Sequence, residues 1–223
     1  MALRNMRSTL AVSAIIVALA ATALGQTTAR QAADVVDRHY NSLTTLEADF
    51  TESYAGAGVH RSETGKLWLK RPGRMRWEYH QPREKLFVTD GHTAWFYVPG
   101  ERQARRAPLK KLDDLRSPLA YLLGRTKLEK EFGGLSLAPD VAPDAAGNVV
   151  LRGVPRHMPG ITQVILEVTP DGRFNRIEVQ SEDGSSTSFR FGNQRENAPI
   201  PDTRFHFSPP AGVETIETDQ LSN

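Results

Sequence analysis

Residues 74–79 read Arg74-Met75-Arg76-Trp77-Glu78-Tyr79. The alternation is strict: Met75, Trp77 and Tyr79 on one parity, Arg74, Arg76 and Glu78 on the other. Side chains of a strand point to opposite faces in turn, so this is a β-strand with one apolar and one wet face. Upstream, Leu67 and Leu69 alternate with Lys66, Trp68 and Lys70, and Arg71-Pro72-Gly73 supplies the turn between the two runs. Downstream, the same character predicts strands over 85–89, 93–98, 148–152, 163–169, 174–180 and 187–191. Asp90-Gly91, Pro99-Gly100, Asp171-Gly172 and Asp183-Gly184 separate them. Short spacings and Asp-Gly turns predict antiparallel hairpins. Segments long enough for crossover helices are largely missing, which argues against a parallel sheet.

Two stretches depart from the period of two. Over 29–46, Ala32, Val35, Val36, Tyr40 and Leu43 follow helical spacing. Over 109–132, Leu112, Leu115, Leu119, Leu122 and Leu123 do the same, with Pro118 as an interruption or a second helix start. Residues 127–132 add a further helical turn, and 138–147, rich in Ala, Pro, Asp and Gly, is a loop. The fold class is mainly β with some α: a long antiparallel sheet that curls toward an incomplete barrel. The helical segments are available to cover its apolar face.

Residues 1–25 stand apart. Arg4 and Arg7 precede an apolar run over 10–23, which is too short to span a bilayer comfortably. Small residues close it, with Ala21-Thr22-Ala23 or Ala23-Leu24-Gly25 as the cleavage site. This is the pattern of a secretory signal peptide, leaving 26–223 as one domain of a soluble protein, with a bacterial periplasm as its destination. Removing Arg4 and Arg7 from 28 Lys and Arg leaves 26 basic against 26 acidic residues. That balance argues against nucleic acid as a partner. With no cysteine there are no disulfides and no thiolate metal site.

Six histidines lack the spacing of a metal pair, and no nucleophile elbow, P-loop or dinucleotide fingerprint is present. Neither an enzyme nor a cofactor is expected. The basic residues Arg102, Arg105, Arg106, Lys110, Lys111 and Arg116 read either as a solvated loop or as a contact for anionic lipid.

Four ordered blocks carry a family resemblance. They are Leu46-Glu47-Ala48-Asp49-Phe50-Thr51 after a helix; Gly65 to Tyr79, followed by Gln81-Pro82; Asp90-Gly91 with Trp95-Phe96-Tyr97 and Pro99; and Phe205-His206-Phe207-Ser208-Pro209-Pro210-Ala211-Gly212-Val213. In these blocks the chain resembles the LolA family of periplasmic outer-membrane lipoprotein carriers. The resemblance implies an incomplete antiparallel β-barrel whose α-helical lid closes over an apolar, acyl-chain cavity. It implies a monomeric chaperone that takes acylated lipoproteins from an inner-membrane LolCDE-type ABC transporter to an outer-membrane LolB-type receptor. A carrier or sensor of another lipid or glycolipid on the same fold is the alternative. Periodicity and resemblance together place Leu67, Leu69, Met75, Trp77 and Tyr79 in the cavity. Phe87 and Trp95 are placed there too, on strands whose two parities are both apolar. Leu119, Leu122 and Leu123 are the lid residues, and Arg71, in the Lys-Arg-Pro block, matches the family's lid latch.

Overall fold

The computed structural model describes residues 27–109 and 127–218. The leader over 1–25 and the lid leucines Leu119, Leu122 and Leu123 lie outside the described residues. Helix α1 spans Ala29–Ser42. Its start is fixed by a reciprocal cap: the Gln31 N–H donates to Thr28 Oγ1 at 3.2 Å, and the Thr28 N–H donates to Gln31 Oε1 at 2.8 Å. The helix ends four residues before the expected 46. Leu43 is already extended, and Thr45 pairs with Lys70 across the sheet, so strand pairing ends the helical run.

The strands are β1 (Thr45–Gly56), β2 (Val59–Lys70), β3 (Arg74–Gln81), β4 (Lys85–Asp90), β5 (Thr93–Tyr97) and β6 (Gln103–Pro108). A short helix α2 (Leu128–Glu131) leads into β7 (Phe132–Leu137), β8 (Val149–Pro155), β9 (Ile161–Val168), β10 (Phe174–Ser181) and β11 (Ser186–Glu196). A 3-10 turn (Asp202–Phe205) and β12 (Glu214–Glu217) follow. All twelve strands form one sheet in the order β12-β6-β5-β4-β3-β2-β1-β11-β10-β9-β8-β7. The sheet is open and curled. Two meanders, β1 to β6 and β7 to β11, meet where β1 pairs with β11.

Antiparallel pairing holds everywhere except between β12 and β6, which run parallel with Glu214 opposite Gln103. The sheet is thus the expected antiparallel one, with a single parallel strand added at its edge. The C-terminal segment returns over the outer face before reaching the edge, and its direction on arrival matches β6. Three strands escape the periodic pattern: β6 lies within the basic run, β7 carries the Gly133-Gly134 pair, and β12 spans only four residues.

The inner face is the one α1 covers. Ala32, Ala33, Val36 and Tyr40 of α1 share a single buried core with side chains of β1, β2, β3 and β8 to β11. Tyr40 fixes the packing: its ring stacks on Phe174 at 4.8 Å, and its hydroxyl accepts the Phe174 N–H at 3.0 Å. The outer face carries smaller coverings. Ile200 and Phe205 pack on Trp68, and Ala138 and Val141 pack on Val150 and Ile165.

Candidate functional site

Residues directly opposite in an antiparallel ladder share a face. The register aligns Leu67 with Trp77 and Trp77 with Phe87, and it aligns Leu69 with Met75. Leu67, Leu69, Met75 and Trp77 are all buried in the inner core, and Tyr79 and Phe87 pack against it half-buried. These six expected residues therefore stand together on one face. Phe50, Phe96, Phe189 and Phe191 join them there, although they were not among the expected site residues. The alternation Leu46, Ala48, Phe50 carried that signal for β1.

The rings form a chain of contacts along the face. Trp77 lies 5.9 Å from Phe189 and 4.7 Å from Phe50, and Phe50 lies 5.0 Å from Tyr79. Gly65 makes room for it: a Cβ there would stand 2.0 Å from the Glu78 carbonyl oxygen and 2.8 Å from the Phe50 ring.

Trp95 is a correction. It pairs with Val88, which continues the row from Trp68 through Arg76 on the outer face. It packs on Phe207 at 5.5 Å, under the Arg106 guanidinium at 5.4 Å. Phe96, its neighbour of opposite parity, faces inward beside Phe87. Both parities of β5 are apolar because the C-terminal segment covers its outer side.

Arg71 sits at the end of α1. Its guanidinium donates to the Tyr40 carbonyl and, at 3.4 Å, to that of Asn41. Its backbone N–H donates to Thr44 O at 3.0 Å. A cation at carbonyls of the last helical turn is favourable to the helix dipole. The lid residues that Arg71 was expected to latch, Leu119, Leu122 and Leu123, lie outside the described residues. The peptides Arg71-Pro72 and Gln81-Pro82 are cis.

Beyond Tyr79 the inner face turns polar. The Tyr79 hydroxyl donates to Glu52 Oε2 at 2.8 Å. Glu63 stands opposite Glu52 in the register and accepts from Lys85 Nζ at 2.6 Å. Lys85 Nζ also lies 4.2 Å from the centre of the Tyr79 ring. Burial raises the Glu52 carboxyl above the usual range, against the lowering effect of the Tyr79 hydrogen bond. Burial also raises the Tyr79 phenol, with the Glu52 charge adding to the effect.

A second polar cluster lies on the outer face, around a carboxylate that sequence reasoning missed. Glu167 is fully buried. Its Oε1 accepts from the Asp144 N–H at 2.9 Å, the Asn148 amide at 2.6 Å and the Asn175 amide at 3.1 Å. Arg176 Nε lies 3.3 Å from its Oε2. These contacts hold the 138–147 loop down. Among the described residues, no three His, Cys, Asp or Glu side chains are grouped to hold a metal ion.

A curled antiparallel sheet, apolar along its inner face and packed there by an N-terminal helix, defines the class: an open, barrel-like fold built around an apolar interior. The model of the family described as outer membrane lipoprotein carrier protein LolA matches residues 41–208. An outer-membrane lipoprotein carrier protein of Nitrosospira multiformis is 32% identical over 178 residues, covering 77% of this chain and 82% of that one. One of the same name from Chromobacterium violaceum is 30% identical over 176 residues, covering 78% and 82%. In fold alone, the chain is similar to an uncharacterized conserved protein from Thermus thermophilus, with a TM-score of 0.54 at 13% identity, covering 85% of this chain and 99% of that one. The chain belongs to the LolA family, whose members are carriers and not enzymes.

Proposed function

We propose that this chain is a periplasmic chaperone for acylated lipoproteins. It receives them from an inner-membrane ABC transporter of the LolCDE type and delivers them to an outer-membrane receptor of the LolB type. The leader over 1–25 is cleaved on export, and the mature domain acts as a monomer without a cofactor. The observation that carries this reading is the continuous apolar inner face in a chain of this family. The acyl chains lie against the aromatic row of Phe50, Trp77, Phe87 and Phe189.

Release is the harder half of the task. Burying hydrocarbon stabilises by about 0.8 kcal/mol per CH₂, so one fully buried C16 chain contributes on the order of 12 kcal/mol. Two or three such chains would pass the practical ceiling of roughly 18–21 kcal/mol, and the cargo would never leave. A protein whose own apolar groups cover the face when empty avoids this, because net affinity is then the difference between two buried states. In this proposal Leu119, Leu122 and Leu123 provide the cover and Arg71 helps set its strength.

The test is native mass spectrometry of the mature protein purified from the periplasm, with identification of anything bound. Acylated lipoproteins at one to one are the expected result. Free lipid or glycolipid without acylated protein would move the case to another lipid cargo. An empty protein that also refuses a synthetic triacylated lipopeptide would overturn the carrier reading.

A further inference from the structure

The inner face is apolar from α1 to Tyr79 and then carries four polar side chains in two hydrogen-bonded pairs, Tyr79 with Glu52 and Lys85 with Glu63. A lysine here needs a reason. Lys85 shares its parity with Phe87 and so points inward, and only 18% of its side chain is exposed. Desolvating an ammonium is costly unless it is held by partners. Glu63 takes one of its three N–H donors, at 2.6 Å, and the Tyr79 ring face lies 4.2 Å away. The Tyr79 ring is itself fixed by its hydroxyl on Glu52. The ammonium is therefore positioned from two sides, at the point where the aromatic row stops, with two donors beyond the one that Glu63 receives.

We propose that Lys85 is a specificity residue for the ester carbonyls that join the acyl chains of the cargo to its glyceryl group. The inference rests on the acyl-carrier reading above and adds to it the linkage that is recognised. Hydrocarbon lies along the aromatic row, the first polar atoms of the ligand reach the level of Tyr79, and the free Lys85 donors meet ester oxygens there. Such oxygens are acceptors only, and of the four polar side chains Lys85 alone has donors to spare for them, since the Tyr79 hydroxyl already donates to Glu52. Glu63 and Tyr79 are positioning residues that hold the ammonium. A hydrocarbon without carbonyls would fill the same face but offer no acceptor to the Lys85 donors beyond the one that Glu63 receives.

The experiment is a titration of the mature protein with two synthetic lipopeptides of equal chain length, a dipalmitoyl-glyceryl-cysteine diester and its dialkyl diether. Each is read by displacement of a fluorescent apolar probe. The unmodified protein is expected to prefer the diester by about tenfold, the effect of one or two hydrogen bonds from a charged donor. In Lys85→Met that preference disappears through loss of diester affinity, while diether affinity stays within about twofold. Lys85→Met combined with Glu63→Gln, which leaves no orphan carboxylate, should behave the same way. The diester preference of the unmodified protein needs no variant to fold. Its absence, or an equal loss of both ligands in folded variants, would overturn the role of Lys85 and leave the carrier reading standing. Failure of the unmodified protein to bind either ligand would overturn both. Dipalmitoylglycerol distinguishes the source of the esters. If it shows the same Lys85 dependence, the site reads diacylglycerol esters generally; if only the lipopeptide does, it reads the lipoprotein anchor. Either result upholds the assignment.

Discussion

Arg71→Leu separates two roles that one side chain can hold. The guanidinium donates to the Tyr40 and Asn41 carbonyls at the end of α1, and leucine removes both bonds while leaving the backbone bond to Thr44 in place. Hydrogen bonds from a charged donor contribute roughly 1.5–3 kcal/mol each when shielded. Arg71 is part-buried and still in reach of water, so solvent screening brings the pair down to about 2 kcal/mol in total. For a domain of this size, a loss of that magnitude lowers Tm by about 4–8 °C. Arg71→Lys keeps a cation near the helix end, worth about 0.3–1 kcal/mol, and should fall between the two. Thermal unfolding followed by circular dichroism on the three proteins reads the effect directly. A Tm for Arg71→Leu equal to that of the unmodified protein would refute the capping argument, whatever the variant does to cargo transfer. A lower Tm means that any transfer defect of this variant includes a loosened α1.

Glu167→Ala should cost about 3 kcal/mol in urea unfolding, because it removes the shared acceptor of the Asp144 N–H and of the Asn148 and Asn175 amides, while Arg176 keeps its longer contacts to Asp144 and Glu178 and its bond to the Ala142 carbonyl. Limited proteolysis of the same variant should cut within 138–147; an uncut loop would argue against Glu167 as its anchor. Gly65→Ala should destabilise by about 3 kcal/mol, since the added methyl meets a backbone carbonyl that cannot step aside. An equilibrium unfolding midpoint unchanged by that substitution would contradict the close approach of β2 and β3. Glu52 has a raised pKa in the fold, so its protonated form favours folding. Its contribution is fully present below the unfolded glutamate value and is lost as pH rises through the raised folded value. Glu52→Gln should remove that component, so Tm curves for the two proteins should converge in acid and separate, with the variant higher, as pH rises above the ordinary glutamate range.

Much of the β architecture is legible in side-chain parity. The Met75, Trp77, Tyr79 row and the Leu67, Leu69 row are found where alternation places them, because a sheet covered on one side imposes that alternation. Trp95 shows the limit. When both parities are apolar, only the register of the neighbouring strands and the covering on the outer side decide which way a ring points. Those depend on Val88, Arg76 and Phe207, residues outside its own strand. Glu167 was illegible for a related reason. In Val164-Ile165-Leu166-Glu167-Val168 it reads as an outward polar residue, and it does face outward; its burial comes from a loop some twenty residues upstream. The polar end of the inner face needed the register as well. Glu52, Glu63 and Lys85 lie on three strands, and nothing in their spacing joins them.

The seam between β1 and β11 has a consequence for how the chain reaches this structure. Each meander is built from contacts near in sequence, whereas the seam joins Phe50 to Phe191 and Tyr54 to Thr187. Closing it confines a long stretch of chain before any reward is gained, and such non-local pairings slow folding. The same step completes the inner core, because α1 and β1 supply one side of it and β8 to β11 the other. Pulse-labelled hydrogen exchange during refolding should find the amides between β1 and β11 protected last, after those within β2 to β5; simultaneous protection would reject this order. Until that late step the aromatic row stands open to water, and the folding intermediate is itself a ready client for any partner that binds exposed hydrocarbon.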